Sequence, residues 1–257
     1  MFESAKKILR LEPRYAVERV FVRAFGTTVK CFPLIAQHIG GKGIEIGGPS
    51  NIFNKGHFLP VYPLADSLDG CNFGATTIWE GIISEGQTFR YAGRVGRQFI
   101  SEAWKLDVPD DTYDFVLSCH MIEHTANPLR ALKEWRRVLK ANGHLLLVVP
   151  DGLRSFDRKR PVTKLSHLLD DFSRDMGEED LTHLEESVAL HEIDRTPEYQ
   201  RREDFRAWLS KNVENRRMHH HFFDRKLVVD MVSTSGFKVL ASETTVPWNI
   251  VVFGQKT

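Results

Sequence analysis

Residues 113–150 read YDFVLSCHMIEHTANPLRALKEWRRVLKANGHLLLVVP, and this stretch decides the fold. Its first part, 113–119, predicts a strand, and the apolar positions of 127–140 recur at the spacing of a helix. A turn at Asn142-Gly143 closes that helix before 144–150, a strand without polar alternation. Such strands are usually buried on both faces of a parallel sheet. Alternating strands and helices predict an α/β protein with a doubly wound sheet.

Shorter apolar runs on both sides extend this sheet. Strands are predicted at 42–47, which stops in glycines, and at 68–73. Near the C-terminus a helix at 225–235 precedes strands at 237–243 and 249–255. The connection between these last two strands is too short for a crossover helix, so they are antiparallel.

The sequence predicts one domain over residues 1–257, with two additions to the sheet. Residues 1–38 form an N-terminal helical segment, in which 4–24 read as a basic amphipathic helix. That helix either packs on the domain or contacts a membrane surface peripherally, and glutamates dilute its positive face. Residues 151–222, the insertion, are charged and weakly periodic. We expect the insertion to form a lid over the carboxyl ends of the strands.

Composition narrows the class of protein. The 257 residues are 42% hydrophobic and 27% charged, as is usual for soluble globular proteins. No apolar run reaches the ~18 residues that span a bilayer, and the N-terminus lacks the apolar core of a signal peptide. The net charge of +1 creates no positive electrostatic field that would attract nucleic acid, so no such partner is expected. Three cysteines without a CxxC pair indicate reduced thiols and a cytoplasmic location.

Three motifs share one resemblance. They are Glu45-Ile46-Gly47-Gly48-Pro49-Ser50, the stretch 113–150 with its Glu123-His124 pair, and HHHFFDRKLVVDMVSTSGFKVL at 219–240. Together they resemble the small-molecule, "type 11"-like class I methyltransferases, which use S-adenosyl-L-methionine. The resemblance covers 40–150 and 219–240. It implies a Rossmann-like sheet of seven strands, mostly parallel with one antiparallel C-terminal strand.

The resemblance also implies a site for S-adenosyl-L-methionine. The glycine motif would meet its methionine part, although Pro49 and Ser50 depart from the family's glycine pattern. Asn72, or Asp69 nearby, stands where the family binds the ribose hydroxyls, and an amide can both accept and donate. Glu102 and Ala103 would hold the adenine. The predicted cofactor-binding residues are Glu45, Gly47, Gly48, Pro49, Ser50, Asn72, Glu102, Ala103, Cys119 and His120.

Methyl transfer to a hydroxyl needs a base, and histidine suits that role. We predict His120 and His124 as catalytic residues, because the sheet fixes the loop that follows the strand at 113–119. In the competing interpretation, Glu123 only fixes the start of the helix, and His124 packs or hydrogen-bonds locally. No spacing of histidines and acids matches a known metal motif, so no metal is expected, although carboxylate and imidazole groups of this region could converge on a divalent ion as an alternative. The residues predicted to bind the acceptor are Asp151, His183, His191, His219, His220 and His221.

The predicted function is O-methylation of a small or carbohydrate-type acceptor, in polysaccharide or secondary-metabolite biosynthesis, by a monomer or homodimer. Two alternatives stay open: an N-methyltransferase, and a non-catalytic module that binds S-adenosylmethionine or a nucleotide with the same fold. A nicotinamide dehydrogenase is disfavoured because the GxGxxG fingerprint is absent. A nucleic-acid methyltransferase of the N-P-P-Y/F type is disfavoured because NPL at 127–129 lacks the aromatic residue.

Overall fold

The computed structural model describes residues 29–193, 201–245 and 248–257. The strands are β1 (Lys42–Ile46), β2 (Ser67–Asn72), β3 (Thr76–Thr77), β4 (Gly81–Ile82), β5 (Gly86–Tyr91), β6 (Arg94–Ile100), β7 (Tyr113–Cys119), β8 (Leu139–Pro150), β9 (Phe237–Thr245) and β10 (Asn249–Lys256). The described α-helices are α1 (Phe32–His38), α2 (Pro128–Val138), α3 (Leu165–Ser173), α4 (Leu184–Leu190), α5 (Arg202–Leu209), α6 (Asn212–Asn215) and α7 (Arg225–Thr234). One large sheet has the order β5-β6-β2-β1-β7-β8-β10-β9.

The central strands of this sheet run parallel. β1 pairs with β2 on one side and with β7 on the other, while β6 follows β2 and β8 follows β7. β10 lies antiparallel between β8 and β9. These pairings confirm the predicted α/β class, with a mostly parallel sheet and an antiparallel C-terminal strand.

The sheet has eight strands instead of the predicted seven, because a hairpin forms one edge. β5 pairs antiparallel with β6 in that hairpin. Its two-residue turn has positive φ at both positions, 46° at Ala92 and 77° at Gly93, which is the turn geometry that matches strand twist. Charged residues at Arg90, Arg94 and Arg97 obscure the strand pattern in the sequence.

Both faces of the sheet are covered, but by different kinds of structure. On one face α2 and α7 pack against the strands, and Trp135 of α2 is fully buried there. The Asn127 side chain caps α2 by accepting from the Arg130 N–H. The other face is covered by α1 and by residues 47–66. Every residue of 47–66 is described, and two 3₁₀ turns stand there in place of an α-helix.

The insertion follows β8 and holds α3 to α6. Its described residues form a small apolar core of their own, around Leu184, Phe205 and Met218. The predicted helix at 4–24 lies outside the described residues, as do 194–200 of the insertion. Among the helices that are described, none is long and apolar enough to span a bilayer.

Candidate active site

One pocket opens where the parallel strands end. Ligands of doubly wound sheets bind at the carboxyl ends of the strands. The ends of β1, β2, β6 and β7 meet around this pocket. We call it the strand-end pocket; its lining consists of Ile46, Gly47, Cys71, Asn72, Phe73, Trp79, Ser101, Glu102, Ala103, Trp104, Met121, His124, Thr125, Glu178 and Arg216.

The loop after β1 needs glycine at two positions. Gly47 has a φ of 83°, and a Cβ there would lie 2.6 Å from Met121 Cγ. A Cβ on Gly48 would lie 2.2 Å from the carboxyl carbon of Glu45. The loop therefore packs without side chains at both positions, and at Gly47 it presents main chain to the pocket.

Glu45 lies beneath this loop and not on the pocket wall. It is fully buried, and its Oε2 accepts a hydrogen bond of 2.5 Å from the Tyr62 hydroxyl. That hydroxyl in turn accepts from the Ser50 N–H at 2.7 Å. Burial raises the pKa of Glu45 to about 7. Within the described residues Glu45 Oε1 has no hydrogen-bond partner, so the side chain holds the loop and keeps one oxygen uncommitted.

Asn72 is the last residue of β2, and only one end of its side-chain amide is hydrogen-bonded. Its Nδ2 donates to the Gly48 carbonyl at 2.9 Å. Its Oδ1 is buried without a hydrogen-bond partner in the described part of the chain. A buried acceptor of this kind is costly unless a ligand or water satisfies it. Asp69, the alternative, accepts from the Tyr113 hydroxyl at 2.9 Å and does not line the pocket.

Glu102 and Ala103 line the pocket just after β6. The insertion reaches them here, because Arg216 Nη2 donates to Glu102 Oε1 at 2.5 Å. The same guanidinium forms an ion pair with Glu178 at 3.3 Å and lies 5.2 Å from the centre of the Phe73 ring. Burial raises the pKa of Glu178 to about 7 despite this arginine. Arg216 thus links the insertion to the pocket wall.

His120 and Cys119 are not part of the pocket wall. The backbone of His120 is left-handed, with a φ of 50°, and its N–H donates to the Val148 carbonyl at 2.9 Å. The His120 ring is exposed, with Nε2 2.7 Å from Asn249 Oδ1. Burial raises the pKa of the Cys119 thiol well above its usual range.

His124 does lie on the pocket wall. Burial, together with the nearby imidazoles of His219 and His120, holds its pKa well below the usual range. The ring is therefore neutral at neutral pH. The His219 ring meets it edge-on, with 4.6 Å between the two centres, and the centre of the Trp79 ring lies 6.1 Å away.

Asp157 fixes the histidine that packs against His124. Its Oδ2 lies 2.6 Å from His219 Nδ1, and its Oδ1 lies 3.2 Å from His191 Nδ1. Burial opposes ionisation of Asp157, yet the two imidazoles and Arg160 hold its pKa far below the usual range. The structure thus joins Asp157 through His219 to His124, an arrangement that the sequence does not indicate.

A comparison with known families agrees with this geometry. Residues 40–242 match the family model described as a methyltransferase domain. The chain belongs to the methyltransferase domain family. The matched range contains every residue of the strand-end pocket and the whole insertion. The class I S-adenosylmethionine-dependent methyltransferase predicted from the sequence is confirmed.

Solved structures similar to this methyltransferase include three S-adenosylmethionine-dependent methyltransferases. The Mesorhizobium loti protein is 13% identical, with a TM-score of 0.49, and the match covers 88% of this chain and 96% of that one. The Methanosarcina mazei protein is 15% identical, with a TM-score of 0.48 and coverage of 87% and 97%. The Aquifex aeolicus protein is 12% identical, with a TM-score of 0.44 and coverage of 88% of each chain. No curated protein matches the chain.

The strand-end pocket fits S-adenosyl-L-methionine, the cofactor of this methyltransferase. The orphaned Asn72 Oδ1 would accept from a ribose hydroxyl. The bare main chain at Gly47 would let the methionine part approach closely. Of the predicted cofactor-binding residues, Gly47, Asn72, Glu102 and Ala103 line the pocket, whereas Glu45, Gly48, Pro49, Ser50, Cys119 and His120 do not.

The predicted acceptor-binding residues are all described, and none of them lines the strand-end pocket directly. His219 reaches the wall through its ring contact with His124. His220 is fully buried, and its Nε2 lies 3.6 Å from Glu178 Oε2 of the wall. The remaining four have other neighbours: Asp151 pairs with Arg154, His191 with Asp157, and His183 and His221 with His167.

Proposed function

We propose that this methyltransferase transfers a methyl group to a hydroxyl of a small polar acceptor, of the carbohydrate type found in polysaccharide or secondary-metabolite biosynthesis. The observation that carries the proposal is the neutral imidazole of His124 on the wall of the strand-end pocket. Such a hydroxyl must lose its proton, and His124 would stand beside the cofactor to accept it. The polar groups that the insertion brings close, such as His219 and Arg216, suit an acceptor with several hydroxyls.

The reaction is an in-line displacement at carbon. When bound, S-adenosyl-L-methionine supplies the methyl group on a positively charged sulfur. His124 would accept the proton of the acceptor hydroxyl, whose oxygen would take the methyl group and leave the demethylated cofactor. The chain supplies positioning: Asp157 fixes the His219 ring, and that ring packs edge-on against His124.

The insertion acts as a lid in this proposal. Arg216 joins it to Glu102 and Glu178 of the pocket wall, so ligand binding and the position of the insertion are coupled through one ion-pair group. Closing a lid excludes water from the reacting atoms and completes the acceptor side of the site.

An acceptor screen followed by matched histidine variants tests the proposal. The purified chain is incubated with S-adenosyl-L-methionine and pools of sugars and small hydroxylated compounds, and mass spectrometry identifies methylated products. With that acceptor, His124→Gln should lose about 10²–10⁴-fold in turnover while keeping its cofactor affinity. His120→Gln is the control, because it changes the same loop outside the pocket and should keep turnover.

Three outcomes would contradict the proposal, each at a different point. Loss of turnover in His120→Gln but not in His124→Gln would move the base to the exposed side of the loop. Methylation found only on nitrogen would identify an N-methyltransferase. Cofactor binding without turnover across the whole screen would identify a binding module.

A further inference from the structure

Three histidines of the insertion meet at one point, away from the strand-end pocket lining. His167 lies on α3, His183 directly precedes α4, and His221 lies between α6 and α7. Each histidine has one ring nitrogen that lies within 4.8 Å of a ring nitrogen of the other two. The ring centres are 5.0 Å apart for His167 and His183, and 5.6 Å apart for each of these with His221. We call this group the three-histidine cluster.

A buried carboxylate lies beside the cluster. Asp171 lies one helical turn after His167, and its Oδ2 is 3.3 Å from His167 Nε2 and 3.7 Å from His221 Nε2. The Asp171 side chain is 6% exposed, yet its Oδ2 has no hydrogen-bond partner among the described residues. A buried carboxylate oxygen near imidazoles, without a hydrogen bond, lacks the partner that its burial requires.

We propose that the three-histidine cluster binds one divalent transition metal ion, with Zn²⁺ as the best match, and that Asp171 beside it supplies the fourth ligand by a rotation of its side chain. Zinc takes four nitrogen, sulfur or oxygen ligands in a tetrahedron, at about 2.0–2.2 Å from the metal, which places neighbouring ligand atoms about 3.3 Å apart. The His167 and His183 Nε2 atoms are 3.0 Å apart, and His167 Nε2 is 3.3 Å from the Asp171 carboxylate. These two separations are close to a tetrahedral edge, whereas Asp171 lies outside the group of ligand atoms that are all within 4.8 Å of one another.

The orientation of the rings also suits a metal. His221 Nε2 lies 3.1 Å from the Ala126 carbonyl, a contact that metal-bound histidines commonly make with their second nitrogen. His221 Nδ1 is buried without a partner in the described chain and would be the nitrogen that binds the ion, so the 3.7 Å between Asp171 and His221 Nε2 is not a distance between two ligand atoms.

The metal would pin together three segments that the sequence separates. His167, His183 and His221 belong to α3, to the turn before α4, and to the chain that leads into α7. The His167 side chain is 38% exposed, which leaves an entry path for the ion. The proposal is independent of catalysis and differs from the expectation drawn from the sequence, because i,i+4 is the only local spacing in the set, between His167 and Asp171.

Metal binding by the whole chain tests this directly. The purified chain is stripped with EDTA, desalted and titrated with Zn²⁺ in competition with a chromophoric chelator. We expect one equivalent to bind, and the unfolding temperature to rise with bound Zn²⁺. His167→Ala and His183→Ala should each raise the Kd for Zn²⁺ at least about 100-fold. Co²⁺ in place of Zn²⁺ should give the visible absorption of a four-coordinate ion, and both variants should lose it.

The control separates this cluster from a second one of similar spacing. Glu123, His124 and His219 also lie within 4.8 Å of one another through one ligand atom each. Because His124 belongs to this second cluster and not to the three-histidine cluster, His124→Gln should keep wild-type Zn²⁺ affinity. Loss of binding in that variant, or no binding by the folded wild-type chain at micromolar Zn²⁺, would overturn the proposal and leave an imidazole hydrogen-bond network. If circular dichroism shows that His183→Ala is unfolded, the more exposed His167→Ala decides the matter.

Discussion

The buried acid Glu45 gives a prediction whose size follows from the structure. Complete burial raises its pKa from 4.5 to about 7 in the folded chain. Each pH unit between the two pKa values corresponds to about 1.36 kcal/mol, so ionised Glu45 costs the fold about 3 kcal/mol relative to the unfolded chain. Glu45→Gln removes the charge and keeps an oxygen that can accept from the Tyr62 hydroxyl.

The sign follows from the raised pKa. The protonated form is the one that the fold favours, so its stabilising effect is full below pH 4.5 and is lost as pH rises through about 7. The unfolding free energy of Glu45→Gln relative to the wild type should therefore increase with pH. Between pH 5 and pH 8 we expect a relative gain of about 2–3 kcal/mol for the variant.

Urea denaturation of both proteins at pH 5, 6, 7 and 8 measures this difference. Titration of all other groups cancels in the comparison, provided that the two proteins share one m value. A stability difference that stays constant over this pH range would refute the raised pKa of Glu45.

Three further predictions concern the pocket and its surroundings. Gly47→Val should weaken cofactor binding at least tenfold, about 1.4 kcal/mol by calorimetry, since its side chain would meet Met121; unchanged affinity in a folded variant would remove the loop from the site. His124 should add no inflection of turnover above pH 6.5, because burial and the nearby His219, His120 and Arg217 keep its pKa low; an inflection there that remains in both Glu45→Gln and Glu178→Gln would contradict His124 as the base. Amide exchange in 201–222 should slow when demethylated cofactor and acceptor bind, and equal exchange would make the insertion static.

The core of the sheet could be predicted because its signals are local. The strand at 113–119 is found with its predicted bounds, and α2 lies within the predicted 127–140. Both carry continuous apolar patterns that neighbours along the chain define. The edge hairpin of β5 and β6 could not be predicted in this way, because its outer positions are charged.

In the site, too, some residues could be predicted from local sequence signals and others could not. Strand order alone brings Asn72, Glu102 and His124 to one pocket, so their positions at strand ends were informative. His120 stands four residues before His124, yet its left-handed backbone and its contact with Asn249 leave it outside the pocket. No local pattern marks the partners that come from distant segments, which are Tyr62 under the glycine loop, Asp157 on His219 and Arg216 on Glu102.

Calorimetric titration of S-adenosyl-L-homocysteine, the demethylated cofactor, into the wild type and Asn72→Leu tests the central claim most directly. The claim is that the strand-end pocket holds the cofactor, with the orphaned Asn72 oxygen on the ribose. We expect one site per chain in the wild type and at least tenfold weaker binding in the variant, about 1.4 kcal/mol. No heat with the wild type at saturating protein, or equal affinity in a folded Asn72→Leu, would contradict it.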